Sequence, residues 1–257
     1  MPPPKHVALG PLTRTVLDKA VWRDESEFPA HQAWADDTER VLSFLETRGM
    51  LEKLLPRLWA REREGTFAEA RTAYFFSRNG FQVLRLEPEE VKGRPGDLEI
   101  QWLNTEPIFV EIKGPGWEAE LSTDQLKAGR QHQPKHIHLE ARAVDPVGPT
   151  LWAIDKALPK LSPTRCNLVV LMDDLFISPV DLPQGWLPQI LDKHLAASER
   201  KVVSGVYILN PVSYGEGVEY RKFFHPNRSA SRRLPGVVVQ GLLNGNNDPQ
   251  GPRWSRA

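Results

Sequence analysis

The chain changes its hydrophobic period once, at Asn79-Gly80, and that change constrains the fold more than any other feature. Before it, TFAEARTAYFFSRNG (66–80) repeats apolar residues at helical spacing. The segment closes on Asn-Gly, a pair that tolerates the left-handed backbone of a helix end. After it, FQVLRL (81–86) and DLEIQWL (97–103) alternate with a period of two, separated by the turn-rich EPEEVKGRPG. NTEP then turns the chain into IFVEIK (108–113), a third alternating run. Further on, NLVVLM (167–172) is a continuous apolar run, the pattern of a strand buried on both faces, and VVSGVYIL (202–209) reads as another buried strand. IDKALPKL (154–161) and PQILDKHLAASER (188–200) read as helices.

Upstream, the first 35 residues are Pro-rich and read as irregular. Asp36-Asp37-Thr38-Glu39 carries a cap signal for a helix with Val41, Leu42, Phe44 and Leu45 on its apolar side, ending before Gly49. LEKLLPRLWARERE contains Pro56, where a helix would kink or start. No internal repeat is present. The expected class is α/β, with a mixed central β-sheet flanked by helices. Three regions follow: an irregular and helical extension over 1–64, an α/β core over 65–226, and a loop-rich tail over 227–257 broken by GVVVQGLL. The core carries an insertion at 114–150 with a helical candidate near Ser122–Gln131.

With 257 residues, 26% charged and 40% hydrophobic, the chain can bury a sizeable core and is not of disordered composition. No apolar run reaches the roughly 18 residues of a membrane span. The start, MPPPKHVALGPL, lacks the apolar stretch of a secretory signal. The single cysteine, Cys166, excludes an internal disulfide framework and a cysteine-based zinc cluster, and reads as a packed thiol. The expectation is a cytoplasmic globular protein with no membrane partner. The zero net charge conceals an asymmetry: from Asp24 to Glu69 eleven acids face six bases, whereas from Arg221 onward seven bases face Asp248 alone. A basic tail favours a polyanionic partner, or is simply a solvated tail.

The residues with chemical potential lie in PGDLEIQWLNTEPIFVEIKG (95–114). Asp97 opens one strand, and Glu111 and Lys113 share a face near the end of the next. Two acids and a lysine on neighbouring strands can hold a divalent cation and an activated water; otherwise they form the charged outer face of a hairpin. A second Glu-x-Lys triplet, Glu90-Val91-Lys92, lies in the turn-rich connection, where support for precise geometry is poorer. Alternation supplies a test. Asp97 meets Glu111 only if directly opposed residues have numbers of matching parity, which demands an odd-length turn or a bulge.

Asp97, a hairpin turn and Glu111-Ile112-Lys113, preceded by a helix bearing Glu69, resemble the core of the PD-(D/E)xK, or restriction-endonuclease-like, nuclease superfamily. The resemblance covers roughly residues 65–175. One departure is visible: Gly96 precedes Asp97, with Pro95 one place earlier. The resemblance implies a metal-dependent nuclease using Mg²⁺, with Mn²⁺ as substitute, on nucleic acid, expected to be DNA. It implies Asp97 and Glu111 as metal ligands, the Ile112 carbonyl as a further ligand, Lys113 as the group orienting water, and Glu69 assisting the metal. Members often place a basic residue on the helix between the Glu-x-Lys strand and the next strand, and Lys156 is the candidate here. Thr66-x-x-Glu69 also reads as a capping box, a structural role for Glu69.

Other groups offer weaker alternatives. His132, His136 and His138 invite a zinc site, but Pro134 interrupts the helix that would align them. With Lys127, Arg130, Lys135 and Arg142 around them, they fit a phosphate-contacting surface or an exposed loop. LVVLMDD lacks the glycine-rich phosphate loop of nucleotide hydrolases. Trp102, Trp117 and Trp152 flank the candidate site and could stack on bases or simply pack. The rival class is a nucleic-acid-binding or protein-assembly module whose acids hold no metal; a homodimer or a protein partner is open in either case.

Overall fold

The computed structural model describes residues 8–19, 32–59, 63–91, 94–114, 147–172, 178–183, 185–214 and 217–244. Seven α-helices are present among them: α1 (Pro11–Lys19), α2 (Gln32–Thr47), α3 (Leu51–Trp59), α4 (Arg63–Arg78), α5 (Val147–Ala157), α6 (Trp186–Leu195) and α7 (Gly236–Asn244). The strands are β1 (Phe81–Leu86), β2 (Glu89–Val91), β3 (Arg94–Pro95), β4 (Leu98–Trp102), β5 (Ile108–Lys113), β6 (Asn167–Met172), β7 (Gly205–Tyr214) and β8 (Gly217–Pro226). Six of them form one mixed sheet in the order β1-β4-β5-β6-β7-β8, parallel at β5-β6-β7 and antiparallel elsewhere. The short β2–β3 ribbon stands apart and holds Glu90 and Val91 of the second triplet.

The expected mixed α/β sheet is therefore observed. Alternation distributes the strand side chains between two cores. Leu98, Ile100, Val110, Leu168, Val170, Tyr207 and Leu209 face the side covered by α1–α4 and α7. Phe109, Val169, Leu171, Val206 and Ile208 face α5 and α6. Every residue of β6 is buried, as its unbroken apolar run requires. The period change at Asn79-Gly80 is where α4 gives way to β1: Gly80 adopts φ +87°, and its N–H donates to the Ser77 carbonyl at 3.2 Å.

Several elements depart from the pattern reading. The Pro-rich start contains α1, whose first-turn N–H groups at Leu12 and Thr13 donate to the Glu39 carboxylate at 3.1 and 2.8 Å. A cap supplied by another helix leaves no local signal. α2 begins at Gln32, so Asp37 is inside it, buried, accepting from the Tyr220 hydroxyl at 3.0 Å. α3 runs through Pro56. α4 begins at Arg63, so Thr66 is not its cap and the capping-box reading of Glu69 falls. The helix expected over 154–161 starts earlier, with Val147-Gly148-Pro149-Thr150 as its first turn, and ends at Ala157 before a 3₁₀ turn over Leu158–Lys160. β8 lacked a clean period because it is a half-buried edge strand, and GVVVQGLL is helical. Helices α2 and α3 of the extension share one core with α4 and the sheet.

Two polar anchors hold α5 and the segment after it. Asp155 receives Arg200 through Nε at 2.7 Å and His194 Nε2 lies at 3.0 Å, tying α5 to α6. Asn167, fully buried, accepts from the Ser162 N–H at 2.9 Å and donates to the Ser162 and Val202 carbonyls at 2.7 and 2.9 Å. Asn167→Ala strands those groups and is expected to cost about 3 kcal/mol in chemical denaturation. The Arg200 hydrogen bond, with His194, holds the Asp155 carboxyl below its ordinary range. A depressed folded pKa stabilises above the unfolded value and ceases to do so as pH falls through the folded one. Asp155→Asn should therefore lower the melting temperature at pH 7, with the difference from wild type vanishing in acid.

Candidate active site at the end of strand β5

The parity condition is met. Leu98 opposes Val110, Glu99 opposes Phe109 and Ile100 opposes Ile108, so the connection over 101–107 is odd in length. Extending that register sets Asp97 against Glu111, and the Asp97 N–H donates to the Val110 carbonyl at 3.2 Å. Asp97 Oδ2 in turn accepts from the Ile112 N–H at 2.6 Å, which fixes the carboxylate beside the β5 backbone. Gly96 makes this approach possible. A Cβ at position 96 would lie 2.1 Å from Cζ of the buried Phe109 ring, so the departure from proline before Asp97 has a local cause.

Glu111 is fully buried. Its Oε1 accepts from Lys113 Nζ, and Lys160 Nζ lies at 3.1 Å from the same oxygen. Lys160 also reaches Asp97 Oδ1 at 3.7 Å, so one ammonium spans both acids. Lys113 Nζ donates to the Ile112 carbonyl at 3.1 Å as well. Glu111 Oε2 is buried and has no hydrogen-bond partner among the described residues. Burial, then the neighbouring Asp97 carboxylate, raises the Glu111 pKa against the opposing pull of Lys113 and Lys160. For Lys160, burial works against the charge, but Asp97 and Glu111 overcome it and its pKa is raised.

Glu69 comes from α4 and is buried too, but it faces a cation from outside the expected core. Arg57 of α3 grips both its oxygens, one at 2.7 Å, and reaches Glu87 Oε1 at 3.1 Å. Burial is again the largest influence on Glu69 and raises its pKa; Arg57 opposes it, and Asp97 adds to it. Glu87 adopts φ +52°, a left-handed backbone uncommon for this residue, and its N–H donates to the Asp97 carbonyl at 3.0 Å. The structure thus brings Glu69, Asp97, Glu111, Ile112 and Lys113 into one region. It adds Arg57, Glu87 and Lys160, which the pattern reading missed.

No protein family, curated protein or solved structure matches this chain. The site is read from its own geometry.

Lys156 does not join the acids. It is exposed, with Nζ 4.8 Å from the Trp152 ring centre. The segment between the Glu-x-Lys strand and β6 delivers its cation four residues later, from the 3₁₀ turn; the IDKALPKL run contained both lysines, and only the helix end decides between them. Lys127, Arg130, Lys135, Arg142 and the three clustered histidines lie outside the described residues, as do Trp117, Asp173 and Asp174. Trp102 packs at 4.6 Å on Phe81 in the core, and Cys166 is half-buried, its thiol pKa raised by burial.

Among the described residues no group of three or more His, Cys, Asp or Glu is arranged to hold a metal. Asp97, Glu111 and the Ile112 carbonyl nevertheless offer hard oxygen donors, and Glu111 Oε2 has no partner among the described residues. Mg²⁺ and Mn²⁺ suit such a set, since Mg²⁺ binds through one or two carboxylates and keeps several waters. The Lys160 ammonium between the acids shows that the position attracts positive charge. The donors fit a divalent ion. Gly96→Ala is expected to cost about 1–3 kcal/mol by overpacking against Phe109. Urea unfolding measures that cost, and loss of the low-field amide resonance of Ile112 would report displacement of Asp97.

Proposed function

We propose that this protein is a metal-dependent phosphodiesterase that cleaves nucleic acid, with DNA as substrate, on a PD-(D/E)xK-like core. One observation carries the reading: Asp97 and Glu111 meet across the β4–β5 register at a point where Lys113 and Lys160 also converge. Buried acids matched to lysines in this way suit a reaction in which a divalent ion and an anionic phosphate occupy the same spot. Further support comes from Glu69 in the preceding helix and from a cation supplied between the Glu-x-Lys strand and the next strand.

In this reading Asp97, Glu111 and the Ile112 carbonyl would hold Mg²⁺ or Mn²⁺. When bound, the ion would offset charge on the phosphate and lower the pKa of an attacking water. Lys160 has a raised pKa and remains an ammonium, so its role is electrostatic, holding the phosphate rather than accepting a proton. Lys113, anchored to the Glu111 carboxylate and the Ile112 carbonyl, orients the water and stabilises the developing charge. Glu69, gripped by Arg57 and near enough to feel the Asp97 charge, would assist the metal or its water shell.

Plasmid and single-stranded DNA incubated with Mg²⁺ or Mn²⁺ should be cut by the wild type. Asp97→Ala and Lys113→Ala should each lose at least a hundredfold in rate, equivalent to about 2.7 kcal/mol or more. Lys160→Ala should lose tenfold or more, and Lys156→Ala should match wild type. Mn²⁺ should raise the melting temperature of the wild type but not of Asp97→Ala. Cleavage unaffected by both Asp97→Ala and Lys113→Ala would place the chemistry elsewhere. The self-neutralised pairing of Glu69 with Arg57 favours a second reading, a binding module, which predicts no cleavage of any nucleic acid.

A further inference from the structure

Asp97 and Glu111 already hold a cation, and it belongs to the chain. Lys160 Nζ stands 3.7 Å from Asp97 Oδ1 and 3.1 Å from Glu111 Oε1, the one ammonium paired with both acids among the described residues. The other two oxygens of the pair are harder for an incoming ion to use. Asp97 Oδ2 accepts from the Ile112 N–H at 2.6 Å, and Glu111 Oε2 is shut away from solvent. Glu111 as a whole is fully buried, so no ion from solvent touches it unless a side chain moves. The two lysines over it are not equally mobile. Lys113 rises from the central strand β5, donates to both Glu111 and the Ile112 carbonyl, and is 22% exposed. Lys160 rises from the 3₁₀ turn after α5 and is 38% exposed. Its flexible four-carbon stem can carry the ammonium out into water, where the charge is strongly hydrated. Of the two, Lys160 is the one placed to leave.

We infer that Lys160 is a resident counter-ion that a divalent metal displaces from the acid pair, and that the released ammonium is the one that meets the phosphate. This rests on the phosphodiesterase reading above and adds an exchange within the chain to it. Any ion held by Asp97 Oδ1 and Glu111 Oε1 together competes with Nζ for the same oxygens, and two cations so close repel. A monovalent ion brings no more charge than the ammonium and lacks its tether. A small divalent ion brings twice the charge to the same hard oxygens, so the exchange favours it. In the free protein the ammonium keeps the buried acids from standing unpaired, which would be costly. The exchange costs metal affinity, because the ion binds only the fraction of molecules in which Lys160 has moved aside.

The test is calorimetric titration of the full chain with Mn²⁺ in the absence of nucleic acid, beside Lys160→Met, which keeps the apolar stem and removes the charge. Lys160→Met should bind Mn²⁺ at least about tenfold more tightly than wild type, although it cuts more slowly, and Lys156→Met should match wild type. A second measurement needs no variant: brief acetylation of the wild type with and without Mg²⁺, read at Lys160 by peptide mass spectrometry. Saturating Mg²⁺ should raise acetylation of Lys160 several-fold and leave that of the exposed Lys156 unchanged. If far-UV circular dichroism shows that Lys160→Met does not fold, the acetylation result decides. Equal Mn²⁺ affinities, or acetylation of Lys160 that ignores Mg²⁺, overturn the exchange, while metal binding and cleavage by the wild type leave the nuclease reading standing. Tighter binding in Lys160→Met from a wild type that never cuts DNA supports the exchange and removes the catalytic reading. Failure of both wild type and Lys160→Met to bind Mn²⁺ overturns both.

Discussion

A carboxylate removed from water must be given positive charge or remain protonated, and Glu111 imposes that requirement on everything around it. It sits on a central strand between two cores, so the compensating cations must reach it from the end of that strand. Lys113 arrives two residues further along the same strand, and Lys160 from the turn after α5. The placement of Lys160 depends in turn on how α5 ends, on Asp155 pinning α5 to α6, and on Asn167 clamping the following segment. Asp97 adds a second acid, so one ammonium must serve two oxygens. Such a cluster is a costly way to stabilise a fold, because desolvating charges consumes much of what their pairing returns. On the proposed reading that cost prepares the cluster for a divalent ion and a phosphate.

The same logic applies at the rim. Glu69 is buried against Arg57, and Glu99 against Arg85 and Arg165. Each acid is held by arginines projecting from other elements, giving a line of carboxylates across the sheet with cations on its solvent side. Arg57 belongs to α3, so the helices before α4 take part in the acid cluster and also share its core.

Much of this was legible in the sequence where the rules are local. The period change at Gly80 and the buried strands β6 and β7 follow from alternation, which also set the parity condition for Asp97 and Glu111 that only the β4–β5 register meets. What escaped depends on partners far along the chain. α1 is capped by Glu39, and Asp37 resembled a cap while serving Tyr220. β8 lies at an edge where alternation is diluted. Lys156 and Lys160 are both basic residues in one short helical signal, and only the point at which α5 gives way to a 3₁₀ turn separates them. Nothing in the residues around Arg57 announces that it will cross to Glu69.

The hydrogen bond from Tyr220 to Asp37 joins groups 183 positions apart, bringing the last strand of the sheet against the second helix. That closure makes the protein topologically a loop fastened near its two described ends, with the acid cluster in the middle. Neither end can peel away without exposing the aromatic packing of Phe75, Tyr207 and Tyr220. Opening is therefore expected to be all-or-none rather than fraying from a terminus, and formation must await contacts of long sequence separation. A nascent chain would carry its acids and lysines through the 60 residues of synthesis from Lys160 to Tyr220 before the fastening that holds them exists.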